Sequence, residues 1–334
     1  MATIYEVSKL AGVSLATVSR VMNNSGRVSE KMRNKVLSAM EELDYRPNSI
    51  AQALASNRSN CVGVLVPEVH GPIFGAMLSG IEVELRNAGK FTIFATGHSD
   101  EAKEKEGIRF LISRNCDALI LHVEALPDDY LLEQKDGAIP FVIMNRVVPG
   151  LEDNCFSLNN EHGGYAATRM LLELGHRSIA YISGPLSWGD ASARLAGHKR
   201  ALKEFDQRFD ERLMVEGDYH ETGGSNAMTQ LLQQGIPFSA VACANDEMAA
   251  GAMDMVRARG MSIPRDMSIV GFDNAPLGNY LYPKLSTVNY PIGEMGSMAA
   301  HWVLKNLYDI NSHNIQHVFE PKLVSRASAG PYSR

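Results

Sequence analysis

The sequence predicts an α/β protein in which a small helical head precedes two doubly wound lobes, each a parallel sheet covered by helices. Three features lead to this fold class. Residues 1–45 carry three short helical patterns, apolar runs of strand length alternate with helical stretches from Cys61 onward, and a second such series begins near Phe156. Because continuous apolar strands between helices are typical of buried parallel sheets, the two series predict two lobes.

The head is predicted to contain three helices, with a sharp turn after the first. Thr3 and Glu6 have the spacing of a capping box, and Ser14 and Ser29 stand where two further helices begin. Only "GV" at 12–13 separates the first two helices, which requires a steep angle between them. Apolar residues recur at helical spacing in each segment: Ile4, Val7, Leu10 and Ala11; Val18 and Val21; Met32, Val36, Leu37, Met40 and Leu43.

The body is predicted from its strand-like runs. The first series contains "CVGVLV", "FTIFAT", "DALIL" and "FVIM", and the second contains "SIAYIS", "LMVEG", "AVACA" and "SIVGF". The last stretch is too short for a third lobe, so we expect it to return to the first. The predicted divisions are a head at 1–46, a hinge helix and linker at 47–59 and a body at 60–334, with lobe one at about 60–158 plus 290–326 and lobe two at about 159–289.

Composition restricts the class of protein. The 334 residues are 45% hydrophobic and 21% charged, which is typical of soluble globular domains. No apolar stretch approaches the roughly 18 residues of a membrane span, and no leader pattern follows Met1, so we expect a cytoplasmic protein without a membrane partner. The cysteines lie far apart without a C-x-x-C pair, so we expect buried thiols and no metal site: Cys61, Cys116, Cys155 and Cys243.

Charge is distributed unevenly along the chain. Residues 1–60 hold eight Lys and Arg against five acidic residues, whereas the whole chain carries a net charge of −6. A basic head on an acidic body suggests that the head alone meets a polyanion.

The second helix, within "GVSLATVSRVMNNS", has a polar face that an ordinary core helix lacks. Two helices at a tight turn match the helix-turn-helix arrangement, whose second helix enters the major groove of DNA. Arg20 can donate to guanine, and Leu15 and Ala16 can contact thymine methyl groups. The alternative is a structural helical cap with solvated hydroxyls. Phosphate contacts are expected from Tyr5, Ser14, Thr17, Ser19, Asn23 and Arg27.

The segment that follows the head is too short to be a stable helix alone. Pro47 and Asn48 mark a stop and a new cap. The helical run after them spans about eight residues, below the roughly 12–15 at which an isolated helix becomes marginal in water. We therefore expect residues 48–56 to need a partner in order to fold.

Polar side chains follow the predicted strands of the body. Open α/β sheets bind ligands at the carboxyl ends of their strands, and a sugar offers hydroxyls that suit Asp, Asn and Arg. Each residue also has a structural alternative: a buried core histidine for His122, a helix cap for Asn245 or Asp246, a turn for Asp273. The strand-end residues are His122, Asn145, Arg146, Asn245, Asp246 and Asp273.

Several motifs together resemble the lactose-repressor family of bacterial transcriptional regulators. They are "TIYEVSKLAGVSLATVSRVMN", "VSEKMRNKV", "LDYRPNSIAQALA", "CANDEMAAGAM" and "GFD", and the similarity covers the whole chain and is strongest to galactose-responsive members. The resemblance implies lobes of the periplasmic-binding-protein type. It also implies that the segment at 48–56 is a hinge helix, paired across a dimer, whose Leu54 wedges between base pairs in the minor groove; otherwise Leu54 is the core residue of a linker turn.

The resemblance also implies a set of residues for a small effector. Arg194, Asn245 and Asp273 match effector ligands, although Arg194 has the alternative of a salt bridge on a helix face. Tyr219 matches an aromatic wall, and His122 and Asn145 match polar contacts of the first lobe. Phe74 and Trp188 are second choices.

The predicted function is a homodimeric repressor that binds a near-palindromic operator in double-stranded DNA and is released by a small sugar, galactose or a close relative. One alternative is a regulator of the same family with a purine-type corepressor. The other is a solute-binding protein, against which residues 1–56 speak. The motifs G-x-G-x-x-G, G-x-x-x-x-G-K-[ST], G-x-S-x-G and H-E-x-x-H do not occur in their required contexts, so we expect no enzyme and no cofactor.

Overall fold

The computed structural model describes residues 2–22, 26–46, 58–310 and 314–332. The chain divides into two compact units, Met1–Asn60 and Cys61–Arg334. The predicted fold class is confirmed: a helical head precedes an α/β body with two parallel sheets. None of the described helices is both long and apolar enough to cross a membrane.

The head consists of helices α1 (Ile4–Ala11), α2 (Leu15–Met22) and α3 (Glu30–Glu42). The predicted capping box is present, since the Thr3 side chain accepts from the Glu6 N–H and the Glu6 carboxylate accepts from Thr3. Gly12 ends α1 in the left-handed conformation with φ 64°, which glycine adopts without strain. The core of the head is formed by Val7, Ala11, Val18, Val21, Val36 and Ala39.

Lobe one is built on a six-stranded parallel sheet in the order β11-β5-β4-β3-β1-β2. Side chains alternate across it: Val62, Val64 and Val66 pack on one face, and Leu65 packs on the other. The strands are β1 (Cys61–Val66), β2 (Phe91–Thr96), β3 (Ala118–Leu121), β4 (Phe141–Met144), β5 (Cys155–Leu158) and β11 (Val318–Phe319), and the helices are α4 (Pro72–Asn87), α5 (Glu101–Ser113), α6 (Asp128–Glu133) and α11 (Ile292–Tyr308).

Lobe two is built on a four-stranded parallel sheet in the order β7-β6-β8-β9. A short antiparallel pair, β10 and β12, continues it through single bridges to β9 and the residues after it. The strands are β6 (Ile179–Ser183), β7 (Met214–Glu216), β8 (Ala240–Cys243), β9 (Ser268–Val270), β10 (Thr287–Asn289) and β12 (Lys322–Val324), and the helices are α7 (Asn160–Glu173), α8 (Gly189–Glu204), α9 (Glu221–Gln233) and α10 (Asp246–Ala258).

The chain passes between the two sheets near residues 159, 290 and 320. The C-terminal stretch was predicted to return to lobe one. Helix α11 packs on α4 there, and β11 pairs with β5. The prediction is wrong for the last residues of 290–326, because β12 pairs with β10 in lobe two. The Asn159 side-chain amide donates to the Glu320 carboxylate at 3.2 Å and so ties two of the crossings together.

Candidate DNA-binding head and ligand cleft

Helix α2 presents a continuous outward face because its apolar residues are used for the core. Val18 and Val21 are buried against the other two helices. Ala16 and Arg20 are exposed on the opposite side, and Leu15 is half-buried at the start of the helix. Ala16 and Arg20, predicted to meet base edges, are therefore both exposed on one α-helix, and the major groove admits an α-helix.

The residues predicted to meet phosphates include a helix cap and several exposed or half-buried side chains. The Ser14 hydroxyl accepts from the Thr17 N–H at 3.2 Å, which caps α2, and lies 2.9 Å from the Thr17 hydroxyl. Tyr5 is 70% exposed. Arg27 is exposed and Ser19 is half-buried. The predictions for Asn23, for Leu54 and for a hinge helix at 48–56 fall on residues outside those described.

The body contains a cleft between its two lobes with a volume of about 350 Å³. Lobe one contributes loops that follow β1, β3 and β4, and lobe two contributes loops that follow β6, β7, β8 and β9, as the strand-end rule requires. Eight of the nine predicted effector residues line it: Phe74, His122, Asn145, Trp188, Arg194, Tyr219, Asn245 and Asp273.

Arg146 is the exception, and its predicted place in the cleft is wrong. Its guanidinium donates to the Leu126 carbonyl at 2.7 Å and pairs with the Asp128 carboxylate. Arg146 directly follows Asn145, and neighbouring residues at a strand end point to opposite sides. Arg146 therefore holds the start of α6, a helix that the sequence pattern did not predict.

Arg194 is the electrostatic centre of the cleft. It is 2% exposed, and its guanidinium donates to the Asn160 side chain at 2.9 Å and to the Ala244 carbonyl at 2.6 Å. Asp190 and Asp273 lie 3.4 and 3.7 Å from it. Arg194 is thus fixed in a buried network rather than solvated on a helix face.

Asn245 caps a helix and also lines the cleft, and its role as an effector ligand stays a prediction. Its side-chain oxygen accepts from the Met248 N–H at 2.9 Å, which caps α10, and its amide donates to the Tyr219 carbonyl at 2.7 Å. The amide thereby holds the Tyr219 backbone, which has a positive φ of 69°. Asn245 positions an aromatic wall of the cleft while lining it.

Asp246 is a structural residue outside the cleft lining. Its carboxylate accepts from the Thr287 hydroxyl at 2.6 Å and from the Ala275 N–H at 2.8 Å. Burial raises the pKa of Asp246 to about 7. The side chain thus joins α10 to the segment before β10 instead of meeting a ligand.

The raised pKa of Asp246 predicts a pH dependence of stability. Between pH 4 and 7 the folded carboxyl keeps a proton that the unfolded one has lost, so the free energy of unfolding falls as pH rises through this window. For this single group the slope approaches about 1.4 kcal/mol per pH unit. Urea unfolding at several pH values is expected to show a shallower slope for Asp246→Asn, and an equal slope in both proteins contradicts this assignment.

Aromatic rings form two walls of the cleft. The Trp188 and Tyr219 rings lie 5.5 Å apart by their centroids, and Phe74 meets the His122 ring edge-on at 5.4 Å. His122 is buried, and its Nε2 lies 3.1 Å from the Glu124 carboxylate. Burial raises the pKa of Glu124, although the hydrogen bond with His122 opposes this. The cleft therefore combines flat apolar surfaces with buried polar groups.

Three buried polar atoms of the cleft have no hydrogen-bond partner among the described residues. They are the His122 Nδ1, the Tyr219 hydroxyl and the Tyr290 hydroxyl. A buried polar atom without a partner costs free energy, so such atoms usually meet a ligand or water. All three belong to residues that line the same cleft.

Sequence reasoning missed several cleft residues. Asp190 accepts from the Asn145 amide at 3.3 Å, and its spacing of four from Arg194 on α8 was a usable signal. Tyr290 sits at a crossing between the lobes, where strand-end reasoning does not reach. Further cleft residues lie on the loops after β1, β3 and β7 or on α10, where no sequence pattern indicated a ligand contact. They are Glu68, His70, Glu124, Asp218, His220 and Glu247.

A helix-turn-helix head joined to a two-lobed body with a buried polar cleft defines a DNA-binding transcription regulator. The family model of bacterial regulatory proteins of the lacI family matches residues 3–48, and that of the periplasmic binding protein-like domain matches residues 168–329. The chain is 42% identical over 328 residues to the HTH-type transcriptional regulator GalR of Escherichia coli K12, covering 98% of this chain and 96% of that protein. The chain belongs to the LacI family.

Solved structures of the same family resemble this chain over nearly its full length. The lac repressor dimer bound to operator and the anti-inducer ONPF matches with a TM-score of 0.86 at 28% identity, over 98% of this chain and 99% of that one. The complex of the transcriptional regulator CelR with cellobiose matches with a TM-score of 0.72 at 31% identity, over 98% of this chain and 100% of that one.

Proposed function

We propose that this regulator is a homodimeric repressor that binds a near-palindromic operator and is released when a small sugar, galactose or a close relative, enters the cleft. The observation that carries the ligand class is a set of three buried polar atoms, on His122, Tyr219 and Tyr290, that have no hydrogen-bond partner within the described part of the chain. They belong to residues that line a cleft with a fixed guanidinium and two buried carboxylates.

The chemistry of the cleft suits a sugar. Each sugar hydroxyl both donates and accepts a hydrogen bond, so a ligand with several hydroxyls meets the donors of Arg194 and the acceptors of Asp190 and Asp273 at once. The Trp188 and Tyr219 rings offer the flat apolar surface on which the C–H face of a sugar packs. A volume of about 350 Å³ lies at the small end of ligand pockets, as a monosaccharide requires. The cellobiose bound to CelR supports the same class of ligand.

A calorimetric titration of the full-length protein tests the ligand class. The panel contains D-galactose, D-glucose, D-fucose and the purines hypoxanthine and guanine. We expect saturable binding of a monosaccharide and no binding of the purines. Binding of a purine alone, with tighter operator binding as its result, would replace the proposal with a corepressor mechanism.

The proposed operator contact follows from the face of α2. Two heads related by a two-fold axis fit two half-sites about one helical turn or a multiple of it apart. A sugar that changes the relation between the lobes would alter the spacing of the two segments that enter the heads. The coupling free energy required is typically about 1–3 kcal/mol.

The proposed dimer predicts that exposed aromatic side chains on the body are covered in solution. Tyr280 and Tyr282 are 87% and 85% exposed in the single chain. Large exposed aromatics are enriched at protein interfaces. Tyr280→Asp is expected to convert a dimer at micromolar concentration largely to monomer in sedimentation velocity. The control Arg208→Asp adds negative charge to an exposed loop of the same lobe and should leave the dimer intact; dissociation by both variants, or by neither, contradicts this surface.

A further inference from the structure

A cluster of metal-ligating side chains lies at the exposed edge of the cleft. It comprises His70, His220 and Glu247, whose ligand atoms all lie within 4.8 Å of one another. The imidazole rings of the two histidines have centroids 6.1 Å apart. None of these side chains takes part in the Arg194 network.

The three side chains come from both lobes. His70 lies in the loop between β1 and α4 of lobe one, whereas His220 precedes α9 and Glu247 lies in the first turn of α10 of lobe two. Glu247 already reaches across the cleft, since a side-chain carbon added to Gly71 would lie 2.9 Å from its carboxylate. Any group held by all three residues therefore connects the lobes.

Acidic side chains, Glu68 and Glu247, lie beside the two histidines. Glu68 lies 4.0 Å from the His220 Nε2. Imidazole nitrogens and carboxylate oxygens are ligands of divalent cations, and such a cation offsets the repulsion among neighbouring acids.

We infer that His70, His220 and Glu247 form a site for a divalent transition-metal ion of the zinc class, which binds across the cleft and joins the two lobes. Two histidines and one carboxylate are a common ligand set for zinc, and the fourth position is left for water or a ligand hydroxyl. Ligand atoms on a tetrahedral zinc lie roughly 3.4 Å apart, so side-chain movements on the order of 1 Å complete the site. The inference goes beyond the proposed function, because it assigns a second ligand whose binding can be measured without sugar or DNA.

Titration of tag-free, full-length protein with ZnCl2 tests the site without sugar or DNA. We expect one Zn²⁺ per chain and, on substitution with Co²⁺, a visible spectrum of nitrogen and oxygen ligation without a thiolate charge-transfer band. Even outer-shell partners of a metal are worth roughly 10- to 100-fold in affinity, so His220→Ala and His70→Ala should each weaken Zn²⁺ binding by at least about tenfold. Glu247→Gln should weaken it as well.

Two controls separate the site from unspecific binding. His162→Ala removes an exposed histidine of lobe two that lies outside the cluster and should leave the affinity unchanged. His70 is itself exposed, so its substitution does not disturb the core, and circular dichroism confirms the fold of each variant. Equal Zn²⁺ binding by wild type, His70→Ala and His220→Ala, or a thiolate band from the cysteines, overturns the inference. Failure of sugar binding with Zn²⁺ binding intact refutes only the proposed function.

Discussion

Asp273→Asn is expected to keep operator binding and to lose release by sugar. Asp273 is buried and lies 3.7 Å from Arg194, which Asp190 still neutralises in the variant. The variant replaces a carboxyl oxygen by an amide nitrogen, and a buried hydrogen-bonding group left without its partner costs about 1–3 kcal/mol, so sugar affinity should fall roughly 5- to 150-fold. Asparagine also tolerates the positive φ of 112° at this position better than alanine does.

The measurement is fluorescence anisotropy of an operator duplex, selected from a random-sequence library, with increasing sugar. Asp254→Asn is the matched control, because it removes the same charge from an exposed position of lobe two. It should respond to sugar as the wild type does. Normal release of Asp273→Asn would show that the cleft residues are assigned wrongly.

Arg20→Ala is expected to lose operator affinity by about 1–3 kcal/mol and to lose discrimination between operator and unrelated DNA. Arg20 is exposed on the outward face of α2. The core of the head does not use it, so the variant should fold normally.

Lys35→Ala removes an equal charge from α3 and leaves α2 untouched. Anisotropy with operator and with a scrambled duplex at the same salt concentration then separates the two kinds of contact. A base contact costs affinity for the operator alone, whereas a phosphate contact weakens both duplexes alike. If Arg20→Ala loses the same affinity for both duplexes, Arg20 contacts phosphate rather than base edges.

Local patterns were sufficient for the fold class and for most of the helices and strands. Thr3 with Glu6, and Ser14 and Ser29, marked helix starts because caps depend on neighbouring residues alone. The continuous apolar strands indicated parallel sheets, because burial on both faces is visible in the residues of each strand alone. The position of β12 was missed because only two residues separate it from β11, so no sequence pattern indicated that the chain changes lobe between them. Strand β11 lies in lobe one, whereas β12 pairs with β10 in lobe two. Such a choice between lobes is made by tertiary packing.

The cleft was predictable only where residues follow strands or match family motifs. His122, Asn145, Asn245 and Asp273 were found in this way, and the same rule misplaced Arg146. The cluster of His70, His220 and Glu247 could not be predicted from the sequence. The two histidines are 150 positions apart, and no motif spacing connects them. Only the approach of the two lobes brings these side chains together.

The central claim is that occupancy of the cleft and affinity for DNA are coupled, and linkage requires this coupling to be reciprocal. The most direct measurement is the affinity of the sugar for free protein and for the protein–operator complex, set beside the affinity for operator with and without sugar. The account predicts that each ligand weakens the other by the same factor, about 5- to 150-fold. A sugar that binds tightly while the operator affinity stays unchanged would contradict it.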